Sequence, residues 1–306
     1  MTSSLKERFS WHGNRLLLRN LWLLNFTGGR VTVVDQFSTP GDTLMAATVC
    51  RIIKQRFPRL KLNLTTRNPD LVETDPALDE LNGPKGFCHV AFEYLGLVDS
   101  QGEEGNVLAG TLGQVGIPEY DYKARVHLRP GEIEAARQRL GPVSRPVVSI
   151  NVMSKELVKV WELDSWRELV ERLQTDFTLV QIGDGKEPVF PGVLSFAGKL
   201  TKRESMAMIA MARVHVGPDS FLMHAANGLD VPSVIIYGGS RPAGCLGYLG
   251  NRNLYVHLEC SPCWLHTTKG ENCTHEMKCM RMISVDQVHA AVLELAGAQK
   301  ERVPTG

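Results

Sequence analysis

The sequence carries almost no net charge: 34 Lys and Arg stand against 33 Asp and Glu, a formal charge of +1. Such a balance gives no global pull toward nucleic acid or an anionic membrane, and no basic stripe interleaved with aromatics makes up for it, which sets a nucleic-acid partner aside. Long apolar runs are missing too. The densest near the start, Leu16 to Leu24, is short and broken by Arg19 and Asn20, so no transmembrane segment is expected there. The first ten residues lack the apolar stretch and small-residue cleavage site of a secretory signal, and the cytoplasm is the expected compartment. No internal repeat of roughly 20–50 residues recurs, which excludes solenoids and propellers. Cysteine is present but badly distributed for a disulfide framework: there are seven, an odd number, and four fall between 260 and 279. What remains is a chain of 306 residues, 43% hydrophobic and 22% charged, with enough material for two domains or one large α/β domain.

From Val31 the pattern reads as a βαβ unit: the apolar run Val31 to Val34, a polar loop through Pro40 and Gly41, then a helical stretch to Phe57. Met45, Val49, Ile52 and Ile53 recur at i, i+4, i+7 and i+8, one face of a helix that Pro58 stops. Leu60 to Thr65 alternates like a strand, His89 to Leu97 reads as a helix, and a glycine-rich stretch follows from Gly102 to Gly116. Glu132 to Leu140 is an acidic-basic helix, and the domain boundary is placed at Gly141 to Pro146. The second half alternates clearly: strands at Pro146–Val152, Phe177–Ile182, Val214–Val216 and Ser233–Tyr237, with helices at Asp164–Leu173, Lys202–Ala212, Asp219–Gly228 and Val285 to about Leu295. Alternation at this spacing implies an α/β fold with parallel sheets covered by helices.

Ligands of such sheets sit at the carboxyl ends of strands, so the loops there carry the chemistry. In Phe37-Ser-Thr-Pro-Gly-Asp-Thr43, Asp42 is either an N-cap of the helix or a carboxylate placed as a general base. In Lys155 to Trp161 a lysine either lies in solvent or neutralises phosphate, while Trp161 and Trp166 anchor the loop. Ile182 to Glu187 has a Gly-x-Gly pair but Pro188 and no third glycine, which weakens a dinucleotide reading; Glu187 could accept hydrogen bonds from a ribose diol. The fourth stretch, Val216 to Ala226 followed by Val231 to Pro242, opens a helix at Asp219-Ser220, whose free N–H groups suit a pyrophosphate. His224 lies one turn on, as a structural histidine or a phosphate ligand.

Taken together, these loops resemble glycosyltransferase family 9, the ADP-heptose:lipopolysaccharide heptosyltransferases and their relatives, over roughly residues 31–80 and 146–296. The matching features are Gly41-Asp42 through Arg56-Phe57-Pro58, the Lys159-Val-Trp161 loop, the turn Asp219-Ser-Phe-Leu-Met-His224 and the segment Asp230-Val-Pro-Ser233, in the family's order. The resemblance implies a GT-B architecture, two Rossmann-like parallel-sheet domains facing a cleft, the N-terminal one reduced. Residues 1–143 would form the acceptor-side domain with an N-terminal extension, and 144–306 the nucleotide-sugar-binding domain with a cysteine-rich loop at 260–279.

The activity implied is an inverting, metal-independent transfer of a heptose or similar sugar from an ADP-activated donor to an acceptor hydroxyl, in lipopolysaccharide or other surface glycan assembly. Asp42 becomes the base; Lys159, Ser220 and His224 hold the pyrophosphate, Asp219 positions their turn, and Glu187 binds ribose. Two departures stand out: Phe221 replaces the family's usual glycine, and the segment between Leu81 and His89 is short. They leave open a nucleotide-binding relative without turnover, and a glycan, lipid-linked, protein or small-molecule acceptor. The N-terminal extension is expected to join the core, form an oligomer contact or touch the membrane's inner face.

Cys260, Cys263, Cys273 and Cys279, spaced C-x2-C-x9-C-x5-C, could complete a structural tetrahedral site for zinc or iron, with His266 or His275 substituting for one; the alternative is a set of reduced thiols closing a loop. Similar cysteines recur in the family, and a branch that glycosylates autotransporters carries iron in this region. No cofactor is expected for catalysis itself.

Overall fold

In a computed structural model of the chain, residues 20–86, 88–94, 106–267 and 270–300 are described. They fall into two compact units, Met1–His127 and Leu128–Gly306.

The first unit opens with helix α1 (Leu21–Thr27), closed by Gly28 in the left-handed conformation. Strand β1 (Arg30–Val34) follows, then helix α2 (Pro40–Arg56), β2 (Lys61–Thr65), β3 (Glu80–Leu81), β4 (Cys88–Ala91) and the short helix α3 (Ala109–Gln114). The sheet runs β3-β2-β1-β4, all parallel, with β1 and β2 in register from Arg30↔Lys61 to Val34↔Thr65. Helix α2 buries Met45, Val49, Ile52 and Ile53 as their spacing requires. The stretch expected as a helix from His89 is instead strand β4, whose alternating burial lets Val31 pair with Cys88; its far end, 95–97, lies outside the described residues. Of the N-terminal extension, residues 1–19 also lie outside them. Where it is described, Leu21 is buried but Trp22, Leu23 and Phe26 are exposed, so core packing covers only part of that apolar stripe.

The second unit begins with α4 (Pro130–Leu140) and continues β5 (Val147–Ile150), α5 (Leu163–Leu173), β6 (Thr178–Gln181), β7 (Leu194–Ser195), α6 (Lys202–Ile209), β8 (Val214–Pro218), α7 (Phe221–Gly228), β9 (Ser233–Ile236), α8 (Ala243–Leu246), β10 (Arg252–Leu254), α9 (Lys278–Arg281) and α10 (Val285–Lys300). Its sheet is fully parallel in the order β10-β9-β8-β5-β6-β7. The central strands β5, β8 and β9 are buried throughout, as strands covered on both faces must be. Helix α5 turns Trp166, Leu169, Val170 and Leu173 inward at i, i+3, i+4 and i+7. Trp161 packs edge-on against Trp166, 5.4 Å between ring centroids, and its indole N–H bonds the Ile283 carbonyl at 3.0 Å.

The boundary between units lies after His127, not at 143, because α4 is fastened to α6. Arg203 grips the Glu132 carboxylate at 2.5 and 2.6 Å, which holds that acid down to about 2, and Arg139 meets Glu204 at 3.1 Å. Among the described residues no helix is long and apolar enough to cross a membrane.

Candidate functional site

In each sheet the strand order reverses once, between β1 and β4 in the first and between β5 and β8 in the second. Strand ends at such reversals diverge and leave room for a ligand. Asp42 lies at the first reversal and Lys159, Asp219, Ser220 and His224 at the second; Glu187 follows β6 and the four cysteines follow β10.

In the first unit Asp42 occupies the third position of α2. The cap is Thr39, not Asp42: its hydroxyl accepts the Asp42 N–H at 3.4 Å and donates to Asp42 Oδ2 at 2.6 Å. The Tyr94 hydroxyl, arriving from the loop after β4, donates to Asp42 Oδ1. Each carboxylate oxygen so keeps a lone pair for a further proton. Burial raises the Asp42 pKa above the ordinary carboxylate value, the hydrogen bonds from Thr39 and Tyr94 pull it back, and the charge of Asp35 adds to the rise. Tyr94 is fixed by Phe37 and Phe92, with centroids at 4.6 and 5.2 Å. Beneath lies a buried polar net in which Asp35 accepts from the Ser38 N–H and from the Thr43 and Thr66 hydroxyls at 2.7, 2.7 and 2.8 Å. That net holds Ser38 at a φ of 56°, a strained conformation for a non-glycine residue and one that clusters at functional sites.

In the second unit Lys159 ends a short 3-10 turn, Leu157–Lys159, that Val158 and Trp161 anchor in the core. Its ammonium sits 2.9 Å from Asp219 Oδ2 and 3.4 Å from Glu156 Oε2. Burial opposes the charge, but Asp219 and Glu156 outweigh it and the Lys159 pKa rises; burial likewise opposes ionisation of Asp219, and Lys159 with its neighbours holds it low. Lys155, on the same loop, is exposed. Ser220 caps α7, accepting the Leu222 N–H at 3.3 Å, and its hydroxyl donates to Asn151 Oδ1 at 3.1 Å across the reversal.

Phe221 has no positive φ, so the helix starts in an ordinary conformation without glycine. Burial pushes His224 down to about 4, and its Nδ1 lies 2.8 Å from the Tyr248 hydroxyl. The imidazole is therefore neutral near pH 7 and offers an N–H rather than a cation.

Glu187 behaves differently from Lys159 and Asp219. It is buried, and its carboxylate accepts from Asn151 Nδ2, the Asp184 N–H, the Val152 N–H and Gln181 Nε2, at 3.1, 3.0, 3.2 and 3.4 Å. A Cβ on Gly183 would collide with that carboxylate, so glycine is required there. As placed, Glu187 ties together the loops after β5 and β6, and its geometry does not by itself carry a ribose contact.

Cys260, Cys263, Cys273 and Cys279 are half-buried free thiols. Cys279 is raised by burial, with Cys273 and Cys263 adding to the rise, so three of the four share one electrostatic neighbourhood. Among the described residues no three or more Cys, His, Asp or Glu side chains stand close enough to hold a metal ion. Sequence reasoning did not single out Thr39, Tyr94, Asn151, Glu156, Arg241 and Tyr248; Thr39 and Glu156 lie three residues from Asp42 and Lys159 in the same loops, whereas the others are brought in by topology.

Two parallel sheets covered by helices, each with one strand-order reversal, make an α/β fold of the GT-B class. The model of glycosyltransferase family 9 (heptosyltransferase) matches residues 106–274, more than half the chain, and the protein belongs to that family and is a glycosyltransferase. A glycosyl transferase family 9 structure from Veillonella parvula shares 13% identity over 88% of this chain and 97% of that one, with a TM-score of 0.67. E. coli ADP-heptose LPS heptosyltransferase II shares 13% over 89% and 99%, with 0.62. The iron-containing dodecameric glycosyltransferase TibC from enterotoxigenic E. coli shares 19% over 88% and 76%, with 0.69. No curated protein sequence matches the chain.

Proposed function

We propose that the protein transfers a heptose or a similar sugar from an ADP-activated donor to an acceptor hydroxyl, with inversion, in the cytoplasmic assembly of lipopolysaccharide or another surface glycan. The observation that carries this reading is the Lys159–Asp219 pair, 2.9 Å apart, at the start of capped helix α7 in a chain of glycosyltransferase family 9. TibC has been solved with ADP-D-β-D-heptose, at 18% identity to this chain and a TM-score of 0.66, which makes that donor the first to try. In this reading Lys159 neutralises the diphosphate, which gains charge as the sugar–oxygen bond breaks, while Ser220, the neutral His224 and the α7 N–H groups donate hydrogen bonds to it. Asp219 keeps the Lys159 ammonium charged and placed. Asp42 takes the proton of the incoming hydroxyl, and its raised pKa makes it a stronger base than an ordinary carboxylate. The second unit is the donor domain, and the first supplies the acceptor side.

A structural zinc or iron at Cys260, Cys263, Cys273 and Cys279 is a separate part of the proposal. The donor set suits either metal by chemistry, three thiols on the loop and Cys279 in α9, and a bound ion would itself have to draw them together. It would brace the loop and take no part in transfer.

The deciding experiment pairs calorimetric titration with ADP against a transfer assay with ADP-heptose and a panel of glycan acceptors. Asp42→Asn is expected to lower transfer by roughly 100- to 10,000-fold while ADP affinity stays within about twofold. Full activity in that variant would remove Asp42 as the base, and failure of the unaltered protein to bind any nucleotide would remove the donor site.

A further inference from the structure

Arg241 lies outside the motifs shared with the family, in the loop after β9, and the second unit surrounds it in an unusual way. Its guanidinium lies over the Trp264 ring, 5.1 Å from the centroid. One terminal nitrogen donates to the Ser240 carbonyl at 2.9 Å and the other to His266 Nε2 at 2.6 Å. His266 Nδ1 stands 3.2 Å from Glu156 Oε1. A guanidinium only donates, so His266 Nε2 accepts from it; the same Arg241 nitrogen lies 3.3 Å from His266 Nδ1. His266 thus stands between Arg241 and the Glu156 carboxylate.

The two cations of this region are therefore balanced differently. Lys159 lies between Asp219 and Glu156. Among the described residues Arg241 has no carboxylate at ion-pair distance; its contacts are a carbonyl, the two ring nitrogens of His266 and a π face. Its charge nevertheless reaches the donor site, where it favours the ionised form of Asp219 and disfavours that of Lys159. A half-buried guanidinium held in place but left without a counter-charge suits an incoming anion, and its planar fork matches two phosphate oxygens at once.

The cysteine-rich loop builds this arrangement. The Cys263 N–H bonds the Gly239 carbonyl at 2.8 Å, the Trp264 N–H bonds the Ser240 carbonyl at 3.1 Å, and the Gly239 N–H meets Cys279 Sγ at 3.1 Å. Gly239 permits the contact, since a Cβ there would strike the Ser261 hydroxyl. Residues 261–266 are laid along 239–241, and Trp264 and His266 arrive at the guanidinium as a result.

We infer that Arg241 is a second cation for the diphosphate of the nucleotide-sugar donor, complementing Lys159, and that the cysteine-rich loop is a wall of the donor site because it holds Arg241 through Trp264 and His266. The inference rests on the donor-site reading above. When the diphosphate arrives, its oxygens replace the Ser240 carbonyl and His266 as acceptors, and Trp264 keeps the guanidinium plane in position.

The test is calorimetric titration of the full chain with ADP, inorganic pyrophosphate and adenosine, for the unaltered protein and for Lys159→Ala, Arg241→Ala, Arg241→Lys and Trp264→Ala, with circular dichroism to check folding. Arg241→Ala is expected to weaken ADP and pyrophosphate by roughly 10- to 100-fold and to leave adenosine unchanged. Arg241→Lys should keep part of the affinity, and Trp264→Ala should lose about threefold to tenfold. Should Arg241→Ala fail to fold, Arg241→Lys decides by the same comparison. ADP bound as tightly by the Arg241 variants as by the unaltered protein, while Lys159→Ala weakens it, would overturn the role of Arg241 and leave the donor site standing. Equal loss of adenosine and ADP would make Arg241 structural and also overturn it. Absence of ADP binding in the unaltered protein would overturn the donor site and this inference together.

Discussion

Asp42 and Tyr94 meet because β1 and β4 are neighbours in the sheet, although 52 positions separate the two residues. The tyrosine hydroxyl favours the charged carboxylate, against burial and Asp35, which favour the neutral acid. Removing that hydroxyl must therefore raise the Asp42 pKa further. A base is lost as pH falls through its pKa, so the acid limb of kcat/KM in Tyr94→Phe should move to higher pH, with the alkaline plateau reduced no more than about tenfold. A pH–rate profile reads this directly, and an acid limb that stays in place would detach Tyr94 from the base. Asp42 is legible in the sequence because Gly41-Asp42 stands in a strand–loop–helix pattern, and Lys159, Asp219, Ser220 and His224 are legible for the same reason. Tyr94 is not, since the stretch from His89 reads as a helix and hides the strand end it follows; Arg241 follows a legible strand, but nothing near it marks its guanidinium for the site. Glu187 shows the converse, because a carboxylate in the expected loop is engaged by four donors of its own fold.

At the scale of elements, the alternation of the second half translates almost directly into β5, α5, β6, α6, β8, α7 and β9, because buried parallel strands and amphipathic helices have distinct periods. Strand β4 reads as a helix in the sequence because a run this short fits either period. Helix α4 is plain in the sequence, but its unit is not; the pattern marks an apolar face and not the sheet it packs on, which the Arg203–Glu132 clamp decides. The loop 260–279 offers an element-level prediction. Elemental analysis of purified protein should find about one equivalent of zinc or iron per chain, and chelation should lower both the melting temperature and ADP affinity, since the loop carries Trp264 and His266. Metal-free protein with unchanged melting and full ADP affinity would leave the cysteines as plain thiols.

Across the whole molecule, two buried histidines set the expected response to acid. His215 lies in the middle of β8 with Nδ1 3.0 Å from the Ser149 hydroxyl, and His224 lies in α7; burial pushes both down to about 4. The unfolded chain binds protons at these positions near pH 6.5, where the native state does not, so stability is full above that value and drains as pH falls toward 4. Each histidine accounts for roughly 3 kcal/mol over that window, at about 1.4 kcal/mol for every pH unit between the unfolded and native values, and the two together rival the whole stability of an ordinary domain. Asp42 and Glu187 act the other way, because burial raises both and the native state gains protons before the unfolded one. Their offset begins only as the carboxylate range is reached, so the steepest loss belongs between about pH 6.5 and 5. Urea unfolding at pH 7, 6 and 5 should show the free energy falling by up to about 3 kcal/mol per pH unit, His89 adding to the same trend, and His224→Gln should reduce that slope. A free energy flat from pH 7 to 5 would mean that the two imidazoles are protonated in the native state, and it would take with it the neutral His224 on which the donor site is drawn.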